Sequence, residues 1–420
     1  LEQVDIPSTL AGVLQARLDS LPGYERAVLQ QASVVGRLFW DRIVSYIQSG
    51  EGDGDDPQRI PLALTSLRNR ELVYRHEESA FIGAVEYLFK HDVLREVTSE
   101  SVIKRLRKTY HGLVAEWLIA NCGDRIEEYS GLIGEHAQLA GEKELAGEYF
   151  KRAADAALAS FANTEAEEYY RQALNSTTSA PSRADILLGL GKALRQLVRY
   201  DEASQVFGEA IELYKELGNS DQVGQVYANW TPIYHLIDEI KAWTICQEGL
   251  GFLAGSEDSP GYSRLLAESG KFAMWRNLDE EARDLCQRAV EMGDREGDVN
   301  VSADARITLA FLEPDIENSI STLEEVIDMS HANNLLKPAG RAHGNLGYFQ
   351  NEYLIDLAAS RNHALLAAEL NIETGDHWAT IPYSNAIENI LIVGTIDKAQ
   401  QLFNRKFMVP SEQGSLQEYY

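Results

Sequence analysis

Cysteine is almost missing from this chain. Three of 420 residues (Cys122, Cys246, Cys286) are too few, and odd in number, for a disulfide framework, which points to a reducing, cytoplasmic setting. Basic residues are also scarce: 38 Lys and Arg stand against 65 Asp and Glu, a formal net charge of -27. That excess repels nucleic-acid backbones and anionic lipid, so neither nucleic acid nor a membrane is an expected partner. No apolar run nears the roughly 18 residues a membrane helix needs, and the N-terminus lacks the basic start and apolar stretch of a signal peptide. The first residue is Leu1 rather than Met, which reads as a piece of a longer polypeptide. The nine histidines are never closer than twelve residues, so no single helical turn offers two imidazoles to a metal. Present instead are 45% hydrophobic and 25% charged residues, ordinary values for a folded chain, at a length that asks for several domains or a repeat array.

A repeat array is what the pattern shows. From about Tyr129 onward, a small residue is followed four later by a bulky one and usually three later by another small one. The triplets are Ala146, Phe150, Ala153; Ala203, Phe207, Ala210; Ala242, Cys246, Gly249; Ala282, Cys286, Ala289; Ser319, Leu323, Val326; Ala359, His363, Leu366; and Ala399, Phe403, Lys406. From Ala203 on, their first members recur every 37 to 40 residues. Twelve residues before four of the anchors stands a glycine: Gly134, Gly191, Gly270 and Gly347. Spacings of four and three lie on one helical face, and small side chains there admit a neighbouring helix to about 8–10 Å between axes. The pattern, with Ile133-Gly134 before Ala146, Phe150 and Ala153 and Leu190-Gly191 before Ala203, Phe207 and Ala210, resembles the tetratricopeptide repeat over about 290 residues. The period of forty exceeds that family's usual 34, so longer helices or turns are expected. Ala166, Tyr170 and Ala173 follow Ala146 by only twenty residues and leave the register open there.

Residues 1–125 lack this period. Ser8 suits the start of one helix, Pro22 opens a second reaching about Val35, and a third follows Trp40. Glu51 to Pro57 is polar loop, and Ile60 to Arg70 is again helical. The short β-like runs Leu72–Arg75 and Tyr87–Phe89 predict a hairpin, after which a helix resumes behind His91. Helices with one small hairpin describe a winged helix-turn-helix. The expected fold is therefore mainly all-α: a small winged-helix domain with a short β-hairpin over 1–125, then an α-solenoid of tetratricopeptide-like helical hairpins over 126–420.

A wider resemblance follows. Ile6 to Leu10 (IPSTL), Ala16 to Pro22 (ARLDSLP), Leu29 to Phe39 (LQQASVVGRLF) and Phe89 to Val97 (FKHDVLREV) look like the segment after the nucleotide-binding core of bacterial STAND ATPases, which include large transcription activators and ATPase-linked adenylate or guanylate cyclases. The resemblance implies a winged helix joining an upstream nucleotide module, which binds ATP or ADP, to a repeat sensor. It also implies a role for His91, in the similar Phe-Lys-His context, as a contact to the phosphates of ADP; a structural histidine closing the hairpin-to-helix junction is the other reading.

No catalytic constellation emerges. The pairs Gly191-Lys192 and Gly270-Lys271 are not phosphate loops, because Ile186 and Leu265 stand where the first glycine belongs and Ala193 and Phe272 follow the lysines. Pro57 and Gln58 disqualify the acidic run Asp53, Asp55, Asp56 as a calcium loop. Cys246 and Cys286 hold the bulky core position of their repeats and read as packers. Lys104, Arg105, Arg107 and Lys108, with Arg68 and Arg70, read as solvated surface rather than a DNA face. Binding is left to the first helix of each repeat, where Lys192, Arg195, Tyr227, Tyr234, His235, Lys271, Trp275 and Tyr348 line the expected groove. Mixed aromatic and basic residues suit a peptide or protein, or an anionic small molecule. The expectation is thus a non-catalytic sensor that needs no cofactor of its own, alongside two alternatives: a stand-alone scaffold, and a DNA-binding activator.

Overall fold

A computed structural model describes residues 8–50, 58–234, 238–256 and 258–374, with the single positions 387 and 397. The chain falls into two compact units, Leu1–Ile186 and Leu187–Tyr420.

Unit one begins with α1 (Ser8–Asp19) and α2 (Gly23–Val35), the second opened by Pro22. Then come β1 (Leu38–Trp40), α3 (Asp41–Gly50), α4 (Arg59–Asn69), β2 (Val73–Arg75), β3 (Glu86–Phe89), α5 (Asp92–Glu100) and α6 (Lys104–Asn121). The expected hairpin is β2 and β3, antiparallel with Tyr74 opposite Leu88. A third strand, β1, was not read from the sequence; it pairs with the other side of β3, Leu38 opposite Leu88. Phe39, Ile43, Leu64, Phe89 and Val114 fill the core, which continues without a break into Ile133 of α7 (Ile126–Ala140) and Tyr149 of α8 (Lys143–Ala159).

Two devices fasten this first part to α7. Phe81, from the segment between β2 and β3, is buried among Trp40 (ring centroids 4.8 Å apart), Trp117 (4.9 Å) and Tyr129 (5.1 Å), while Arg125 donates to the Ala80 carbonyl at 2.8 Å. Deeper in, His111 of α6 and His136 of α7 meet with Nδ1 atoms 2.9 Å apart, and His136 Nε2 lies 3.2 Å from the Val35 carbonyl. A carbonyl only accepts, so His136 carries its proton on Nε2 and His111 donates from Nδ1. The open register resolves as a lone helix: Ala166, Tyr170 and Ala173 are the buried face of α9 (Asn163–Ser176), which packs on α8.

The helix α10 (Ala180–Gln196) runs across the boundary between the units. Unit two continues with α11 (Tyr200–Glu216), α12 (Ser220–Trp230), α13 (Glu239–Phe252), α14 (Pro260–Trp275), α15 (Asp279–Glu296), α16 (Val299–Leu312), α17 (Ile316–Ala332), α18 (Leu336–Glu352) and α19 (Leu357–Glu373). Helices of up to 18 residues account for the long period. Every triplet from Ala146 through Ser319 is buried. The glycines work as expected: a Cβ on Gly134 would sit 2.7 Å from the Phe150 ring, and Gly191 and Gly270 would collide likewise with Phe207 and Cys286. The Ala359 triplet needs correction. In α19 the buried face is Ser360, Ala364 and Ala367, whereas Leu366 is exposed. The turn before α19 holds four residues where those before α11, α15 and α17 hold three, and the extra one rotates the face by a position. The Ala399 triplet and the acidic run Asp53 to Asp56 lie outside the described residues.

Candidate ligand-binding face

Within unit two the first helices α12, α14 and α16 each pack on the next first helix, ending with α18, and the second helices α13, α15, α17 and α19 do not pack on one another to that extent. The first helices are therefore the inner row. Their closest approach is at Gly224 of α12 and Gly261 of α14, where a Cβ on Gly224 would lie 2.5 Å from the Gly261 carbonyl carbon, and the Gly261 N–H donates to Asp221 Oδ1 at 2.6 Å.

Four cations of the first helices, Lys271, Arg341, Arg195 and Arg264, are spent within the row itself. Lys271 Nζ lies 2.9 Å from Glu268 Oε1 and 3.1 Å from Asp304 Oδ2 of the next first helix. The Asp304 carboxylate also pairs with Arg341 of α18, whose guanidinium donates to the Asp304 carbonyl (2.9 Å) and to Thr308 Oγ1 (2.8 Å). Burial alone would raise the Asp304 carboxyl, but Arg341 and Lys271 outweigh it and hold its pKa down at about 2. Burial opposes charge on Lys271 too, yet Asp304 and Glu268 leave its pKa above the ordinary value. Arg195 donates to the Asn229 carbonyl at 3.1 Å, and Arg264 pairs with Asp298 at 2.9 Å. Lys271 and Arg195 thus brace neighbouring helices rather than wait for an anion, a correction to the expected basic trough. The partners lie 33 to 37 residues apart, about one repeat period, which is the signal in the sequence that would have found them.

The other expected groove residues divide by burial. Tyr227 is inside, its ring against Gly249 and stacked with Trp230 at 6.3 Å, so it packs helices rather than lining a groove. Tyr234 shares a 2.7 Å hydrogen bond with Ser204, and Lys241 Nζ stands 4.0 Å over its ring. Lys192 is half-buried, and His235 lies outside the described residues. Trp275 and Tyr348 are open to solvent at 37% and 43%, Trp275 edge-on to Phe272 at 5.0 Å and Tyr348 stacked on Phe311 of the intervening α16 at 5.9 Å.

In unit one, His91 stands at the N-cap of α5. Its carbonyl accepts from Leu94 and Arg95, and its exposed imidazole has no hydrogen-bond partner among the described residues. Lys104, Arg105 and Lys108 are exposed without ion-pair partners among the described residues, while Arg107 donates to the Ser99 carbonyl. All three thiols are buried and their pKa values lie high, about 11 for Cys122 and about 12 for Cys246 and Cys286, because burial disfavours the thiolate. Among the described residues no helix is long and apolar enough to cross a membrane.

Residues 183–221 match the tetratricopeptide repeat family. No curated protein matches the chain. Among solved structures, aspartyl phosphate phosphatase F from Bacillus subtilis aligns over 90% of this chain and 98% of its own at 13% identity and a TM-score of 0.52. A Rap protein complexed with Competence and Sporulation Factor aligns over 95% and 97% at 12% identity and 0.51. A Signal Transduction ATPase with Numerous Domains protein with a tetratricopeptide repeat sensor, from Pyrococcus horikoshii, aligns over 95% and 68% at 13% identity and a TM-score of 0.40. At these identities the likeness is one of fold alone: a mainly helical, tetratricopeptide-type repeat protein with a small three-stranded sheet.

Proposed function

We propose that this chain is the non-catalytic regulatory and sensor region of a STAND-type signalling ATPase. Its inner row of first helices binds a peptide or protein effector, and residues 1–125, read as a winged helix, restrain an upstream nucleotide module. One observation carries the effector half: Trp275 and Tyr348 stay exposed on a row whose Lys271 and Arg341 are already neutralised by Asp304. Such a face recognises apolar and aromatic side chains rather than a bare anion, and solvent-facing aromatics are frequent anchors of binding energy. The Rap protein of similar fold was solved with Competence and Sporulation Factor bound, which is the same class of use. A random peptide library panned on the whole chain tests it. Selected peptides should lose on the order of tenfold in affinity with Trp275→Ala or Tyr348→Ala. Equal binding by both variants refutes this face as the site.

The restraint is assigned to His91, whose imidazole is free to donate to a phosphate oxygen. In the full-length polypeptide His91→Ala should purify with less bound ADP, and unchanged retention removes the clamp. The exposed Lys104, Arg105 and Lys108, without ion-pair partners among the described residues, favour a second reading, the DNA-binding activator, since Lys104 and Arg105 in the helix's first turn oppose its dipole. Duplex binding that weakens steeply with salt would support that reading.

A further inference from the structure

The strand order β1-β3-β2 leaves β2 at the edge of the small sheet. Its register shows which backbone groups are unspent. The His76 N–H donates to the Glu86 carbonyl and the Lys90 N–H to the Leu72 carbonyl, so Tyr74 faces Leu88 in the hydrogen-bonded pair between them, and Arg75 faces Tyr87 in a pair that exchanges no hydrogen bond. The N–H and C=O of Arg75 therefore point away from β3, to a side where no strand lies among the described residues. Such an edge is a template for another extended chain.

A cavity of about 470 Å³ lies along this edge, lined by Arg68 of α4 and by Tyr74, Arg75, His76 and Glu77. Side chains of Tyr74 and Arg75 leave opposite faces of the strand, so a cavity that both of them line wraps the edge itself. Arg68 and Arg75 are exposed and have no ion-pair partner among the described residues, in a chain with 65 acidic side chains. They reach the same place from two elements: burial and the Asp41 carboxylate raise the pKa of the Tyr87 phenol, and the Arg75 and Arg68 guanidiniums both pull it back. The neighbouring cations are spent, Arg70 on Glu25 at 3.2 Å and Lys90 on Glu71 at 2.7 Å. His76 is held as well, its Nδ1 3.0 Å from Glu86 Oε1 and 2.9 Å from the Glu78 carbonyl oxygen. Charge by itself would guard an edge against aggregation. Two unspent guanidiniums beside an unspent N–H and C=O make a complement to a carboxylate carried on an extended backbone.

We propose that the outer edge of β2 takes a short, extended acidic segment of a partner protein, which pairs its backbone with Arg75 and places one carboxylate between Arg68 and Arg75. A small anion would use the guanidiniums and leave the edge hydrogen bonds unmade. The Glu77 carboxylate, which lines the same cavity, repels a second acidic group, so the segment carries a single acidic side chain there.

The test uses the whole chain and a fluorescein-labelled hexapeptide of alternating threonine and valine with one central glutamate, followed by fluorescence anisotropy at low salt. Saturable binding tighter than about 100 μM is the expected result. Arg68→Gln and Arg75→Gln, exposed changes that leave the core alone, should each weaken it on the order of tenfold, as should glutamine for glutamate in the peptide, and Glu77→Gln should tighten it severalfold. At saturation the Arg75 amide hydrogen should exchange on the order of tenfold more slowly, which a carboxylate without a backbone does not cause. Binding no tighter than millimolar overturns the proposal, and so does equal affinity for the glutamine peptide or wild-type affinity in the double variant of Arg68→Gln and Arg75→Gln. An Arg75 amide that exchanges at its free rate in the complex overturns the strand pairing. Duplex DNA that displaces the peptide from these two arginines would overturn it too, making the edge a nucleic-acid face.

Discussion

Asp304 is one carboxylate between two cations on neighbouring first helices. Lys271 reaches it from the preceding first helix and Arg341 from the following one, all three side chains less than a quarter exposed. Removing it leaves Arg341 without its carboxylate and Lys271 with Glu268 alone, and losing one partner of such an enclosed group costs about 3–5 kcal/mol. Asp304→Ala should therefore lower stability by about 3 kcal/mol, read as the shift in urea midpoint. The sign with pH follows from its depressed pKa: the stabilisation is present above about pH 4, the unfolded value, and is lost as pH falls toward 2. A variant within a few tenths of a kcal/mol of the parent would show that the bracing carries no weight.

In the repeats that carry it, one glycine decides how close two helices come. The residue sixteen positions after it (Phe150, Phe207 or Cys286) lies over its bare Cα. Gly191→Ala drives a methyl into the Phe207 ring and should cost about 1–3 kcal/mol, despite alanine's better helix propensity. A rise in melting temperature would refute the close contact. In the second repeat of unit two the same position holds Trp230, and there the first helix stops short, giving way to a 3-10 turn at Thr231–Tyr234. Turns follow a second rule: a left-handed residue closes most of them, a glycine at 218 and 297 but a valine at 198, with φ of 61°. A β-branched residue is strained there, so Val198→Gly should raise stability by about 1 kcal/mol, and a loss would show that the exposed valine has packing worth more than its strain.

Acid acts on the molecule as a whole through its buried imidazoles. Burial, with Arg107 adding to it, holds the pKa of His111 at about 4; burial and the neighbouring His111 bring His136 to about 3. The unfolded chain, with histidine near 6.5, binds more protons than the native one between that pH and the folded values, so stability is full above 6.5 and falls as pH drops below it. At about 1.4 kcal/mol per pH unit for each histidine, this pair alone should cost about 4 kcal/mol between pH 7 and 5. A flat unfolding free energy from pH 7 to 5 would mean the pair is not neutral in the folded protein.

Helical periodicity and the forty-residue interval were legible in the sequence because they are local: small residues four and three apart must share a face, and faces that recur at a fixed distance must stack on like faces. The hairpin between Val73 and Phe89 was legible for the same reason, whereas β1 pairs with a strand nearly fifty residues away and shows no alternation to read. What a side chain does once the helices have stacked was not legible, since it depends on the neighbour one period away. Only the tertiary structure turned Lys271 and Arg195 from expected ligand contacts into braces, put Tyr227 inside while leaving Trp275 and Tyr348 outside, and brought together histidines 20 and 25 residues apart. Composition and spacing determine which helices form and in what rhythm; which polar groups remain unspent for a partner is decided by the contacts between successive turns of the array, because each charge is claimed first by the nearest opposite one.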